Sequence, residues 1–314
     1  VFQTFLADTD PVVRGLATRA LGRMGITDAE TERRLVELAQ SDSDPANRQA
    51  ALRALGTIQP EAYRELFRQA LNDPALPVHL EGKRWIERMQ DHQAVGLLQN
   101  LTTSPTHLIR LSAAETLIKL GDKSGFPVMI DTLETFPRRR SPYDTSMDVA
   151  AFLAEYSGQQ LGWDADAWRS WWITAESGFD LRTTIDARID YLHLIADTPA
   201  ATPGQLLHAI DRLRKKHAEY RGLDRQLAPW VRVKAAEALA GKAVGTAVTL
   251  GHYATAMNPG DPECWSILSE CLYANNDFSG ANTAIVRALD IDSKNAHYRR
   301  LREIYKKAMS GPES

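Results

Sequence analysis

The feature that constrains this chain most is a stretch it repeats. "DPVVRGLATRALGRMG" at 10–25 returns 34 residues later as "DPANRQAALRALGTI" at 44–58; Asp10, Pro11, Arg14, Ala17, Arg19, Ala20, Leu21 and Gly22 meet Asp44, Pro45, Arg48, Ala51, Arg53, Ala54, Leu55 and Gly56. At an offset of 65, "ALPVHLEGKRWIERM" keeps Val78, Gly82, Ile86 and Met89 but carries His79 where the others have arginine. At 96, "THLIRLSAAETLIKLG" restores Arg110, Ala113, Leu117 and Gly121. A unit recurring in steps of 34, 31 and 31 residues cannot bury its own apolar face, so a stack of similar units is predicted in place of one closed core.

The columns explain themselves chemically. Asp10 and Asp44 stand where a side-chain oxygen can cap a helix, and Pro11 and Pro45 sit in the first turn, where a missing amide hydrogen costs nothing. Val13, Ala17, Leu21 and Met24 then recur at helical spacing. A second helix follows each first one. In the first unit it is "TDAETERRLVELAQ", where Thr27 and Glu30 have the spacing of a capping box. "PEAYRELFRQAL", "DHQAVGLLQNL" and "SGFPVMIDTLETF" fill the same place later. No alternation of strand type competes with this reading.

Paired helices at this spacing, with Arg14, Arg48 and Arg110 in register, resemble bacterial HEAT repeats of the phycobilisome-lyase-like kind over residues 1 to about 175. The resemblance implies that Arg14, Arg48 and Arg110 pair with acidic residues and tie repeats together, with His79 a missing rung. The opening "VFQTFLAD" resembles the second helix of an earlier repeat, which implies that the chain is the interior of a longer or processed protein.

Four of the seven tryptophans fall in "LGWDADAWRSWW", 161–172. A fifth unit is expected here, with Val149, Leu153 and Tyr156 in the apolar columns of its first helix and "DADAWRSWWITA" as its second. Asp164 is placed to cap that helix and Trp163 to staple onto Trp168. Trp168, Trp171 and Trp172 share one face. That face is expected to be buried as the cap of the array, making a seam with a following domain; the alternative is an aromatic platform for a sugar or a proline-rich peptide. Similar endings are familiar from bacterial HEAT arrays.

From Asp180 the period changes. "TTIDARIDYLHLIAD" and "PGQLLHAIDRLRKKHAEY" read as a helical hairpin around the turn-rich "TPAATP". Beyond it, "DPECWSILSECLYANNDFSGANTAIVRALDID" resembles a tetratricopeptide (TPR) motif along its length, with Ser269 and Ser293 as departures. An earlier copy keeps Ala235, Ala247, Ala254 and Pro259 but has Val231 for the tryptophan. "NAHYRRLREIYKKAM" would cap the array. The organisation expected is therefore all-α, a helical-repeat solenoid: a HEAT-like array over 1–178, a helical connector over 179–227, two TPR-like repeats with a capping helix over 228–309, and a disordered tail at 310–314.

Charge and cysteine content say little about partners. The net charge is −3 and the pI about 6.3, so no whole-molecule attraction to nucleic acid is expected, and no apolar run reaches the roughly 20 residues that cross a bilayer. Cys264 and Cys271 lie seven apart in one helix, about 10 Å along its axis, too far to pair with each other. Without a signal-peptide pattern or an initiator Met, the compartment, cytoplasmic or periplasmic, is left open. Asp186, Asp190, His193 and Asp197 share a helical face but have no second cluster to complete a metal site; they read as a solvated stripe, and no metal or cofactor is expected. Nucleotide-loop, GxSxG and CxxC patterns are missing, so no catalytic residue is nominated.

The function expected is that of a non-catalytic scaffold or adaptor binding a partner protein or peptide. By resemblance, the second helix of each HEAT pair and the first of each TPR pair line the binding surfaces, which nominates Arg64 and Arg68 in one and Arg232, Ser266, Glu270 and Tyr273 in the other. Two basic features stand apart: Arg138, Arg139 and Arg140 in "FPRRRSP", and residues 208–234 with eight Lys or Arg against three acids. They read first as solvated faces, and otherwise as sites for an acidic peptide or a phosphate backbone. The rivals are a HEAT-like enzyme, a chromophore lyase or DNA glycosylase, with Trp163 and Asp164 or Asp166 as the place to look, and a nucleic-acid scaffold using Arg138, Arg139 and Arg140.

Overall fold

The computed structural model describes residues 2–25, 28–135, 149–197 and 201–310. They form an all-α, helical-repeat protein without a strand among the described residues. In chain order the helices are α1 (Pro11–Met24), α2 (Ala29–Ser41), α3 (Pro45–Ile58), α4 (Arg64–Ala70), α5 (Leu76–Met89), α6 (Val95–Leu101), α7 (His107–Lys119), α8 (Gly125–Thr135), α9 (Val149–Ser157), α10 (Ala165–Ala175), α11 (Leu181–Asp197), α12 (Pro203–Lys216), α13 (Asp224–Ala240), α14 (Val244–Met257), α15 (Pro262–Ala274), α16 (Phe278–Ile291) and α17 (Ala296–Ser310). They divide into two compact units: residues 1–149 with 163–181, and residues 150–162 with 182–314.

The first unit is a solenoid of stacked helix pairs. The Asp10 and Asp44 carboxylates accept from the Val12 and Ala46 amides at 2.8 and 2.9 Å, with Pro11 and Pro45 opening α1 and α3. The cap of α2 is Asp28, whose carboxylate takes the Thr31 amide at 2.9 Å; Thr27, the expected cap, lies outside the described residues. First helices pack on first helices, α1 on α3, α3 on α5 and α5 on α7. Small residues set these distances: a Cβ on Gly22 would stand 2.8 Å from that of Ala54. Leu21, Leu35, Leu55, Phe67, Ile86 and Leu117 run through the resulting core.

The tryptophan helix α10 packs on α8 within this unit. Asp164 caps it, accepting from the Ala167 amide at 3.0 Å. Trp168 is fully buried, and Trp172, also buried, stacks on Phe126 at 5.0 Å and 14°. Phe179 closes on Trp171 at 5.4 Å.

The expected fifth pair is divided: its second helix belongs to the first unit and its first helix, α9, to the second. The contacts of α9 explain this. The Tyr220 hydroxyl donates to the Glu155 carbonyl at 2.7 Å, and Arg188 pairs with Glu155 at 2.5 Å while lying 4.8 Å over the Tyr156 ring. The rest of the second unit is α11 and α12, then the pairs α13/α14 and α15/α16, then α17. Its cores hold Leu227, Val231, Leu250, Cys264 and Cys271, and farther on Leu268, Ile285, Tyr298 and Tyr305. Both cysteines are free.

Candidate interaction surfaces

The arginine column builds a ladder along the first unit. Arg14 grips the Asp42 carboxylate with two bonds, 2.7 and 2.9 Å, while its remaining nitrogen donates to the Asp8 carbonyl at 2.8 Å. One repeat on, Arg48 grips Asp73 twice at 2.8 Å and donates to the carbonyl of Asp42, also at 2.8 Å. Asp42 is thus held through its side chain by one repeat and through its backbone by the next. Burial alone would raise the Asp42 carboxyl, but the bonds from Arg14, the Asp44 amide and Asn47 hold it below its ordinary value. Asp73 behaves alike, with burial opposed by Arg48 and the Ala75 amide.

The other two positions of the column differ. His79 is buried, with Nδ1 2.7 Å from the Leu71 carbonyl and Nε2 3.0 Å from the Ser112 hydroxyl. The carbonyl can only accept, so Nδ1 carries the proton and Nε2 accepts from Ser112; burial lowers its pKa and keeps it neutral. Arg110 bonds the Ser104 and Pro105 carbonyls at 2.7 and 3.1 Å but makes no ion pair with a described residue. The segment after α8, in which the acidic partner implied for Arg110 would fall by analogy with Asp42 and Asp73, lies outside the described residues.

Arg64 and Arg68, nominated for a partner, are engaged within the array. Arg68 holds the buried Asp91 carboxylate by two bonds, 2.7 and 2.8 Å, and Arg64 lies 3.6 Å from the same group besides pairing with Glu61. This is a second inter-repeat tie, which the sequence spacing of α4 did not expose. Arg138, Arg139 and Arg140 lie outside the described residues.

In the second unit, α13, α15 and α17 stand side by side. Arg232 of α13 pairs with Glu263 of α15 at 3.3 Å, the Tyr298 hydroxyl of α17 bonds the same carboxylate, and the Tyr273 and Tyr305 rings lie 5.0 Å apart. Tyr273 is 37% exposed, as are Val233 at 48% and Ile304 at 40%. Glu270 is half-buried, and burial raises its pKa against the pull of His297. Ser266, nominated with them, is buried in α15 at 4% exposure.

Among the described residues no three His, Cys, Asp or Glu side chains are grouped so as to hold a metal ion. Asp190 of the acidic stripe is occupied by Lys216 and His217 at 2.6 and 2.8 Å. No described helix is long and apolar enough to cross a membrane.

A surface that sequence spacing did not nominate lies between α1 and α3. It is a groove of 350 Å³ bearing Arg19, Arg23 and Arg53 over Ala46, Ala50 and Ala54, and none of its ten lining residues is acidic.

Residues 1–82 match the family model of HEAT repeats. No curated protein matches the chain. HEAT repeats are commonly protein-interaction scaffolds.

Proposed function

We propose that this chain is a non-catalytic protein-interaction scaffold, its first unit a HEAT array of the phycobilisome-lyase-like kind and its second a short TPR-like array, holding a partner protein or peptide on its repeat surfaces. The observation that carries the reading is the row α13, α15 and α17, three first helices side by side that bear Arg232, Val233, Glu270, Tyr273 and Ile304 at or near the surface. Rows of this kind present mixed apolar and charged side chains over a long surface, which suits an extended partner. The 34-residue period of the two pairs, and Trp265 packed against the core cluster that holds Ala281 and Ala288, support the TPR-like assignment. On the enzyme reading the acid would be Asp166 or Asp164, the latter capping α10 through one of its two carboxylate oxygens.

Photo-crosslinking tests the proposal. A benzoylphenylalanine at Tyr273 or Val233 should join the protein to the same partner in cells, while one at Thr283, exposed on α16, should not. Crosslinks from Thr283 alone would count against this row.

A further inference from the structure

The groove between α1 and α3 owes its existence to one repeat column. In the next gap, between α3 and α5, the buried Glu81 carboxylate takes Arg53 at 2.6 and 3.1 Å. Arg19 precedes Arg53 by one repeat, and Ala50 precedes Glu81 by one repeat. In the α1/α3 gap the same cation therefore faces a methyl group. Arg19 and Arg23 are exposed, and neither makes an ion pair with a described residue. The nearby Thr18 and Thr57 hydroxyls are turned to their own helices, donating to the Arg14 and Arg53 carbonyls at 2.8 and 2.9 Å, so the Arg19 and Arg23 guanidinium groups are the cationic donors open to a ligand there.

We infer that this groove docks an acidic segment of a partner protein, one of whose Glu or Asp side chains takes, between Arg19 and Ala50, the position that Glu81 takes one repeat on. The inference rests on the scaffold reading and adds the chemistry of the partner. A guanidinium matches a carboxylate with two parallel bonds, as Arg14, Arg48 and Arg68 each do elsewhere in this unit. Ala46, Ala50 and Ala54 leave room for a backbone to approach. A polyanion such as nucleic acid is a poorer fit, because the basic track stops at the groove: beyond it Lys83 is neutralised by Glu115 at 2.6 Å and Lys119 by Glu87 at 3.1 Å.

The test is fluorescence anisotropy with a fluorescein-labelled peptide of alternating Glu and Ala, at low salt, on the whole chain. Saturable binding is expected, about tenfold weaker for Arg19→Ala. Ala50→Glu is the decisive variant: it removes no cation and should weaken the peptide by at least as much, by supplying Arg19 with an internal carboxylate, with a melting temperature no lower than that of the wild type. Arg88→Ala, an exposed arginine elsewhere, should bind as the wild type does. If Ala50→Glu does not fold, the double variant Arg19→Gln/Arg23→Gln decides in its place. Undiminished binding by the variants, an equal loss in Arg88→Ala, or complete displacement by millimolar inorganic phosphate would overturn the inference. Crosslinking from Tyr273 that persists in Ala50→Glu would leave the scaffold reading standing when this one fails.

Discussion

A Cβ on Gly56 would stand 2.2 Å from the indole of Trp85. The ring has no room to yield: it is buried, stacked 5.6 Å from Phe67, and its nitrogen donates to Glu81 at 3.1 Å. Two effects compete in Gly56→Ala. Helix propensity favours alanine by about 1 kcal/mol, and overpacking a fixed core costs about 1–3 kcal/mol. The second should win, giving a net loss of up to about 2 kcal/mol in urea denaturation. Gly96→Ala on α6, where nothing lies within 4 Å, should change stability in the opposite direction.

The Arg14, Asp42, Arg48, Asp73 ladder predicts both a magnitude and an acid dependence. Asp42→Ala leaves Arg14, mostly buried, without its carboxylate, and removing one partner of such a pair costs about 3–5 kcal/mol. Arg33→Ala, which breaks only exposed pairs on α2, should leave the urea midpoint close to that of the wild type. The carboxyls of Asp42, Asp73 and Asp91 are all held below their ordinary value of 3.8. A group depressed in the folded state contributes stability above its unfolded pKa and loses it as the pH falls through the folded one. The urea midpoint should therefore drop below pH 4, and Asp42→Asn should flatten that acid arm.

Helix pairing and its caps were legible in the sequence because they are local: Asp10 and Pro11 act within one turn, and the apolar columns have helical spacing. The acids that answer the arginines were not, since Asp42 and Asp73 lie 28 and 25 residues from their partners in turns with no periodicity of their own. The groove could have been found by comparing columns, Ala50 against Glu81, rather than by seeking similarity between them. The placement of α9 was beyond reach: Val149, Leu153 and Tyr156 fit the repeat, while Arg188 and Tyr220, which hold it in the other unit, are 33 and 65 residues from Glu155.

Asp224 predicts the reverse pH trend within the second unit. Burial pushes its carboxyl up to about 6 against the attraction of Arg214 and Arg221, which lie 3.3 and 3.8 Å away. Its Oδ1 is buried without a hydrogen-bond partner. A raised folded pKa means that the folded state binds the proton more tightly, so stability falls as the pH rises from the ordinary 3.8 to about 6, by at most about 3 kcal/mol. Asp224→Asn should then stabilise at pH 7.5 by about 1–2 kcal/mol. That advantage should shrink at pH 4.5, as read from urea midpoints at the two pH values; an advantage equal at both would separate the effect from this carboxyl.

Trp168 decides what the tryptophan helix is for. It is fully buried on α10, and it lies edge-on to Trp171 at 5.7 Å. Truncating a large buried aromatic costs about 3–5 kcal/mol through lost burial and the cavity left behind. Trp168→Ala should therefore lower the urea midpoint strongly with no ligand present. Ile173→Ala, at the other extreme with Ile173 79% exposed on the same helix, should change it by less than about 0.5 kcal/mol. The two substitutions also separate packing from recognition. A partner that docks on the outer side of α10 would be lost with Ile173→Ala at unchanged stability, whereas Trp168→Ala would weaken capture only in proportion to unfolding. A Trp168→Ala protein with a normal urea midpoint that captures no partner would move this residue out of the core and into a binding surface.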